Sequence, residues 1–197
     1  MWQNFIELLF PAQCAACGAV GSGYCSECAA AATPVMQRRG TLTVHSLGVY
    51  AGALRAAILA LKDGRRDVAR ALGECLAPHI PSDSVLVPVP TTAARRRIRG
   101  IDGVALLARS AANGAMVIDA LRQTAGDTQR GRGRTARLEA RGRFVCVTRT
   151  IAGRRIALID DVCTTGATLE DCAAALRHAD ATVGEAAVVA LANPEPS

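Results

Sequence analysis

The sequence predicts an α/β protein in which helices cover a mostly parallel sheet and a small metal-binding knuckle precedes it. From about residue 46 onward, short apolar runs rich in β-branched residues alternate with segments whose apolar residues recur three and four apart. This strand–helix alternation is typical of parallel sheets with helical crossovers. Ahead of it, four of the chain's eight cysteines fall within a short segment.

Length and composition limit the possible classes of protein. The 197 residues suit one medium domain with a small appendage, and a net charge of +6 permits phosphate or nucleic-acid partners. The sequence contains no apolar run of about 18 residues, so it predicts no membrane-spanning helix. The N-terminal "MWQNFIELLFPAQC" lacks the basic start of a signal peptide and predicts a short amphipathic helix ending at Pro11. We therefore expect a cytoplasmic protein without a disulfide framework.

The early cysteines form two CxxC pairs, Cys14 with Cys17 and Cys25 with Cys28. Thiolates at this spacing can reach one metal ion from a tight turn, and Gly18 permits the positive φ that such a turn needs. Two pairs predict a structural four-cysteine zinc site; a redox CxxC pair or four ordinary buried cysteines are the alternatives. Residues 1–45 are interpreted as a helix, this knuckle and a connector over 29–46, and residues 46–197 as the main domain.

The elements of the main domain follow from periodicity and from glycine and proline breaks. We expect helices over 50–64, 65–80, 103–114 and 168–180, and strands over 84–90, 115–121, 142–148, 154–162 and 181–193.

One of these strands runs directly into polar residues, in "RRIALIDDVCTTGATLEDC". We expect the strand to end at the ligand-binding edge of the sheet, with Asp160 and Asp161 at its solvent-exposed end. Two adjacent carboxylates repel each other, and hydrogen bonds donated to both of them compensate for this repulsion. The vicinal hydroxyls of a ribose can donate such hydrogen bonds. The following loop and helix start predict an anion cradle, with hydroxyls from Thr164, Thr165 and Thr168 and a close approach at Gly166. The order predicts a sugar 5-phosphate site; the alternative is a plain strand–turn–helix connection.

The segment "ALIDDVCTTGAT" resembles the phosphoribosyl pyrophosphate (PRPP) motif of type I phosphoribosyltransferases. The resemblance implies the type I phosphoribosyltransferase fold, with Asp160 and Asp161 as catalytic residues. It also implies that the whole motif binds PRPP, namely Asp160, Asp161, Val162, Cys163, Thr164, Thr165, Gly166, Ala167 and Thr168.

Together with the four-cysteine knuckle, "YAGALRAAILALKDG", "VLVPVP" and "RRRIRG" make the chain similar to the ComF family. This resemblance implies transfer of phosphoribosyl from PRPP to an unidentified nitrogen acceptor, with Mg²⁺ and release of pyrophosphate. Some family members are linked to DNA uptake, which makes a DNA-processing helicase or single-stranded DNA a candidate partner. A non-catalytic PRPP sensor and an accessory protein for DNA processing are the alternatives.

The family pattern also assigns two loops and one lysine. The pyrophosphate loop is expected to use Pro90, Thr91, Thr92, Arg95, Arg99 and Gly100, although a solvated basic helix start would show similar arginines. A flexible lid over 122–143 is expected to use Arg122, Thr124, Gln129 and Arg137, the alternative being an Arg/Gly nucleic-acid-binding stretch. Lys62 matches a family position, but a lysine at a helix C-terminus also interacts favourably with the helix dipole.

Several residues depart from the family pattern. Ile101, Asp102 and Gly103 replace an aromatic residue and Asn-Gln after the pyrophosphate loop. Arg132 and Ala140 replace a leucine and an asparagine in the lid. The acceptor chemistry is therefore the part of the function that the sequence leaves open.

Overall fold

The computed structural model describes residues 11–91, 100–124 and 143–192. The helices of these ranges are α1 (Ser26–Ala30), α2 (Gly52–Lys62), α3 (Arg66–Leu76), α4 (Gly103–Ala111) and α5 (Ala167–Arg177). The strands are β1 (Val35–Arg39), β2 (Leu42–Ser46), β3 (Val85–Pro88), β4 (Leu121–Gln123), β5 (Phe144–Cys146), β6 (Arg155–Cys163) and β7 (Thr182–Leu191). A 3-10 turn, Ala77–His79, follows α3.

The main sheet has five strands in the order β1-β2-β7-β6-β3. β2, β7, β6 and β3 are parallel, and only β1 is antiparallel, to β2. β4 and β5 form a separate antiparallel pair. The prediction of a mostly parallel sheet flanked by helices, with a four-cysteine cluster ahead of it, is confirmed.

The sheet separates two apolar layers, and β6 contributes to both. Ala157 and Ile159 pack into the cluster that contains α2, α3 and α4, whereas Ile156 and Leu158 pack into the cluster that contains α5. Side chains alternate between the faces of a strand, so a strand buried on both faces is continuously apolar. This explains the unbroken "IALI" run: β6 is an inner strand, between β7 and β3, with both faces covered.

The connector predicted over 29–46 is wrong, because β1 and β2 form a hairpin there. Gly40, with a φ of +60°, supplies its turn. In β2, Leu42, Val44 and Ser46 are buried and the residues between them are not, which is the period-two pattern of a strand. β2 adds to the main sheet beside β7 and continues through residue 45, where the sequence prediction divides the chain.

The strand predicted over 115–121 is also wrong in extent. Leu86 donates its N–H to the carbonyl of Met116 and accepts the N–H of Ile118, so only Val117 forms a bridge to β3. The next donor in this register would be Pro88, which has no N–H. The chain therefore leaves the sheet, and pairing resumes only at β4, with β5.

No helix within the described ranges is long and apolar enough to cross a membrane.

A close contact between α3 and α4 leads to a stability prediction. A Cβ on Gly73 would lie 2.6 Å from the carbonyl oxygen of Leu107 and 2.6 Å from Cβ of Ser110. We expect Gly73→Ala to lower the free energy of unfolding by about 1–2 kcal/mol, because overpacking outweighs the gain in helix propensity. Urea unfolding followed by circular dichroism measures it.

Gly184→Ala is the matched control, since a Cβ there meets no atom within 4 Å. Its free energy of unfolding should stay within about 0.5 kcal/mol of wild type. A stabilised Gly73→Ala variant would contradict the packing of α3 on α4.

Candidate functional site

The two adjacent carboxylates lie within β6 rather than after its end. Asp160 pairs with Val188 of β7, and the ladder continues to Cys163 and Leu191. Both aspartates are half-buried, so the expectation that they lie at a solvent-exposed strand end is wrong, although the strand itself covers nearly the expected range 154–162. The reason is that β7 is long enough to supply partners up to Cys163.

The alternation of β6 directs the two carboxylates towards different layers. Asp161 continues the series of Ala157 and Ile159, and its Oδ2 lies 3.7 Å from Nζ of Lys62 at the end of α2. Asp160 continues the series of Ile156 and Leu158 towards α5. The Asp160 carboxylate accepts the N–H of Asp161 at 2.8 Å, and the Asp161 carboxylate accepts the N–H of Val162 at 2.8 Å.

The two acids have different electrostatic environments. Burial and the neighbouring charge of Asp161 hold the pKa of Asp160 well above its ordinary value, while the Asp161 N–H and the charge of Lys62 partly oppose this. Carboxylates that repel each other become easier to ionise when a ligand donates hydrogen bonds to both. The pair is therefore suited to a ligand with neighbouring hydroxyls.

The loop after β6 has the form of an anion cradle. Thr164 and Thr165 are exposed, and Gly166, with a φ of +84°, is the residue that starts α5. The Thr165 hydroxyl accepts the N–H of Ala167 at 3.4 Å. Cys163 is buried beneath the loop, and burial raises the pKa of its thiol. Exposed hydroxyls beside the N-terminus of an eleven-residue helix can bind a phosphate.

The β1–β2 hairpin, which sequence reasoning missed, packs against this loop. A Cβ on Gly166 would lie 2.7 Å from Cβ of Arg39, so the contact and the positive φ both require glycine. The Thr41 backbone N–H and hydroxyl both donate to the Glu170 carboxylate, the hydroxyl at 2.9 Å from Oε1. The hairpin thus holds α5 and places a cationic side chain beside the loop.

The start of the predicted pyrophosphate loop lies beside the acid pair. β3 pairs with β6 up to Pro88 opposite Ile159, and the Val89 N–H donates to the Ile159 carbonyl at 2.8 Å. Pro90 and Thr91 follow and are half-buried, while Gly100, with a φ of +68°, is exposed near α4. Thr92, Arg95 and Arg99 lie outside the described residues.

Asp102 has a structural role at the end of this loop. Its side chain accepts the N–H of Ala105 at 3.1 Å and so caps α4. This is a physical reason for an aspartate at a position where the resemblance expects a different residue.

The two ends of the predicted lid meet beside α5. Arg122 lies in β4, and Thr124 donates its N–H to the carbonyl of Arg143 at 2.9 Å. Arg143 in turn donates to Asp171 at 2.8 Å and to the hydroxyl of Thr168 at 3.5 Å, and it is a second residue that sequence reasoning missed. Gln129 and Arg137 lie outside the described residues.

The four early cysteines form one compact cluster. All four Sγ atoms lie within 4.8 Å of one another, with 3.8 Å between Cys14 and Cys28 and 3.6 Å between Cys17 and Cys25. Four sulfurs at about 2.3 Å from a tetrahedral zinc ion are about 3.8 Å apart. The geometry therefore fits one zinc ion held by four thiolates.

The thiols have environments that favour a bound cation. Burial raises the pKa of Cys14, but N–H groups of Cys17, Cys25 and Ala16 outweigh this and lower it to about 6. Burial and the neighbouring thiols raise the pKa of Cys28. The Cys14 thiol ionises easily, and its negative charge makes ionisation of the neighbouring thiols less favourable. A bound divalent cation would offset this repulsion and favour four thiolates. The knuckle is also part of the core, because Cys14 and Tyr24 pack with α2 and α3.

Among the comparisons with known proteins, only the comparison with solved structures finds similar chains. No protein-family model matches the chain, and no curated protein matches it either. The structure of an allosteric regulatory enzyme of purine biosynthesis is 22% identical with a TM-score of 0.46. A glutamine PRPP amidotransferase from B. subtilis, complexed with ADP and GMP, is 23% identical with a TM-score of 0.47. Each covers 61% of this chain, which spans 26% of theirs.

A phosphoribosyltransferase from Corynebacterium diphtheriae is 22% identical with a TM-score of 0.39. It covers 69% of this chain, and this chain covers 70% of it.

The cysteine geometry predicts the metal content. The purified protein should hold about one zinc per chain, and a Cys14→Ser, Cys17→Ser double variant should lose it, because two of four ligands are gone. Chelation should also lower the stability, since the knuckle packs into the core. Elemental analysis and thermal unfolding measure the two effects.

Cys75→Ser is the control, because Cys75 is a half-buried cysteine outside the cluster. It should keep its zinc. A double variant with as much zinc as wild type would refute the site.

The burial of Asp160 predicts a gain in stability when its charge is removed. Asp160→Asn keeps an oxygen that can accept the Asp161 N–H but avoids an ionised carboxylate beside Asp161. Because the pKa of Asp160 is raised in the folded state, the carboxyl ionises more easily in the unfolded state. The free energy of unfolding therefore falls as pH rises above the ordinary aspartate pKa. The variant should therefore unfold at higher denaturant concentration at pH 7.

The advantage should shrink as pH falls from the raised folded-state pKa of Asp160 towards the ordinary aspartate pKa, and it should vanish below that value, where Asp160 is protonated in both states. Asp171→Asn, on the exposed side of α5, is the control and should not gain stability. An Asp160→Asn variant that is less stable than wild type at pH 7 would contradict the claim that burial and the charge of Asp161 disfavour an ionised Asp160.

Proposed function

We propose that this chain binds PRPP and transfers its phosphoribosyl group to a nitrogen acceptor, as a ComF-type protein with a type I phosphoribosyltransferase fold. The observation that carries the proposal is the continuous series from β6 through the Thr/Gly loop into α5. It places two half-buried carboxylates directly before an exposed anion cradle. A ribose 5-phosphate carries neighbouring hydroxyls and a phosphate in the same order.

The roles of the residues follow from this arrangement. Asp160 and Asp161 accept hydrogen bonds from the ribose hydroxyls, and the loop from Thr164 to Thr168 binds the 5-phosphate. Pyrophosphate leaves with the electron pair of its bond to C1, while the acceptor nitrogen bonds to C1 and loses its proton. Positive charge develops on the ribose ring as that bond breaks, and two nearby carboxylates stabilise it. Thr91 and Gly100, at the two described ends of the adjacent loop, flank the expected pyrophosphate position.

The donor set also fits Mg²⁺, which prefers carboxylate and phosphate oxygens. Asp160 and Asp161 offer such oxygens beside the expected hydroxyls of the ligand. When bound, Mg²⁺ neutralises charge on the leaving pyrophosphate. The four-cysteine knuckle has the separate role of completing the core, and thiolate ligands of a structural zinc ion suit the predicted cytoplasmic location.

The proposal predicts opposite effects for the two halves of the site. An Asp160→Asn, Asp161→Asn double variant should bind PRPP and ribose 5-phosphate at least about tenfold more weakly, since hydrogen bonds to charged groups contribute roughly 1.5–3 kcal/mol. Inorganic phosphate should bind it as before or slightly better, because its cradle is intact and two repelling charges are gone. Calorimetric titration of the three ligands measures this.

A Thr165→Val, Gly166→Ala variant is the matched control, and it should lose affinity for all three ligands. Circular dichroism verifies that both variants are folded. Unchanged PRPP affinity in the Asn variant would refute the ribose site. Release of pyrophosphate in the presence of a panel of nitrogenous acceptors then separates an enzyme from a sensor that binds PRPP without reaction.

A further inference from the structure

Lys62 is the only lysine among the 23 basic residues of the chain, and the fold brings it to the acid pair. Its Nζ lies 3.7 Å from Oδ2 of Asp161, and the two side chains are 33% and 17% exposed. At this distance the two groups form an ion pair without a hydrogen bond. Asp161 therefore leaves the N–H donors of the ammonium available to a ligand.

The position of Lys62 is set by its helix rather than by the carboxylate. The neighbouring residue Leu61 is buried, and a Cβ on Gly103 would lie 2.9 Å from Cδ1 of Leu61. Gly103 begins α4, directly after the loop that starts at Thr91 beside β6. The end of α2 is thus fixed between the acid pair and the helix that follows this loop.

The surroundings of the ammonium favour an anionic ligand over a merely structural role. The ring of Tyr50 has its centroid 6.0 Å from the ammonium, which is the outer limit of a cation–π contact. A partly exposed ion pair with no hydrogen bond stabilises the fold little. A partly exposed ammonium is, in contrast, well suited to bind phosphate as a point charge.

We propose that Lys62 binds the pyrophosphate group of PRPP, from the side of the acid pair opposite the 5-phosphate cradle. This assignment rests on the proposed function and adds to it a residue that distinguishes PRPP from ribose 5-phosphate. Bound PRPP brings negative charge to C1, beside two carboxylates that repel it. The Lys62 ammonium offsets that repulsion and stays beside the pyrophosphate as its bond to C1 breaks.

The test compares Lys62→Met, Lys62→Arg and wild type by calorimetry, with PRPP and Mg²⁺ and with ribose 5-phosphate alone. Lys62→Met should weaken PRPP binding about tenfold or more, the scale of a charged hydrogen bond. It should change the affinity for ribose 5-phosphate by no more than about twofold, because that ligand lacks the pyrophosphate and is affected by Lys62 only through its ion pair with Asp161. Lys62→Arg should recover part of the PRPP affinity. Arg55→Met, which removes a charge from an exposed position on the same helix, is the control and should bind both ligands as wild type does.

Several outcomes would overturn the assignment. If Lys62→Met lost affinity equally for both ligands, Lys62 would act only by positioning Asp161. If it lost affinity for neither ligand, Lys62 would have no role in binding. If wild type binds neither ligand, the proposed function itself fails and the assignment fails with it.

A second measurement does not depend on any variant. Reductive ¹³C-methylation labels Lys62 and the N-terminal amine alone, because the chain has no other lysine. The lysine resonance should shift with PRPP and Mg²⁺, and with pyrophosphate and Mg²⁺, but not with ribose 5-phosphate. A resonance that responds equally to ribose 5-phosphate, or to none of the ligands, would refute the contact.

Discussion

The ionic balance around Asp160 and Asp161 is the constraint on which the candidate site depends. β6 is an inner strand between β7 and β3, and its last residues carry two neighbouring carboxylates out of an apolar core. Burying carboxylates is costly unless donors and cations compensate. Here the compensation comes from backbone N–H groups within β6 and from Lys62 on α2. This balance is incomplete without a ligand, since Asp160 still has a raised pKa.

The layers around β6 hold this arrangement from both sides. α2 brings Lys62 to one face, and α5 begins at the loop on the other. The hairpin β1–β2 ties the start of α5 to the edge of the sheet through Thr41 and Glu170, while Arg177 donates to the Thr41 hydroxyl at 2.8 Å. The Thr/Gly loop is therefore held by packing and by hydrogen bonds, which lowers the entropic cost of binding the proposed phosphate.

The knuckle belongs to the same framework. A Cβ on Gly23 would lie 2.5 Å from the backbone of Asp67 and Val68, so the knuckle is in direct contact with the start of α3. Since α3 packs on α4, which follows the predicted pyrophosphate loop, the four-cysteine cluster supports the layer that carries Lys62. Loss of the metal should therefore affect the stability of the main domain as well as the knuckle.

The features that the sequence predicts well are local ones. The acid pair, the Thr/Gly loop and the two CxxC pairs are each contained in short segments, so residue order alone indicates their chemistry. The contacts that it does not predict join distant segments: Thr41 and Glu170 are 129 residues apart, and the contacts of Lys62 with Asp161 and of Arg39 with Gly166 also need the fold. The end of the strand at Val117 depends on the missing N–H of Pro88 in a partner strand, which local periodicity does not reveal.

The central claim is that one continuous segment, β6 to the start of α5, forms a single ribose 5-phosphate site. Hydrogen exchange of the backbone amides of residues 164–168, with and without saturating ribose 5-phosphate, tests it most directly. The account predicts marked slowing at these amides, because they donate to the bound phosphate, and no change at Ala51 and Gly52, which are exposed at the start of α2. Equal exchange at residues 164–168 with and without ligand would contradict the site.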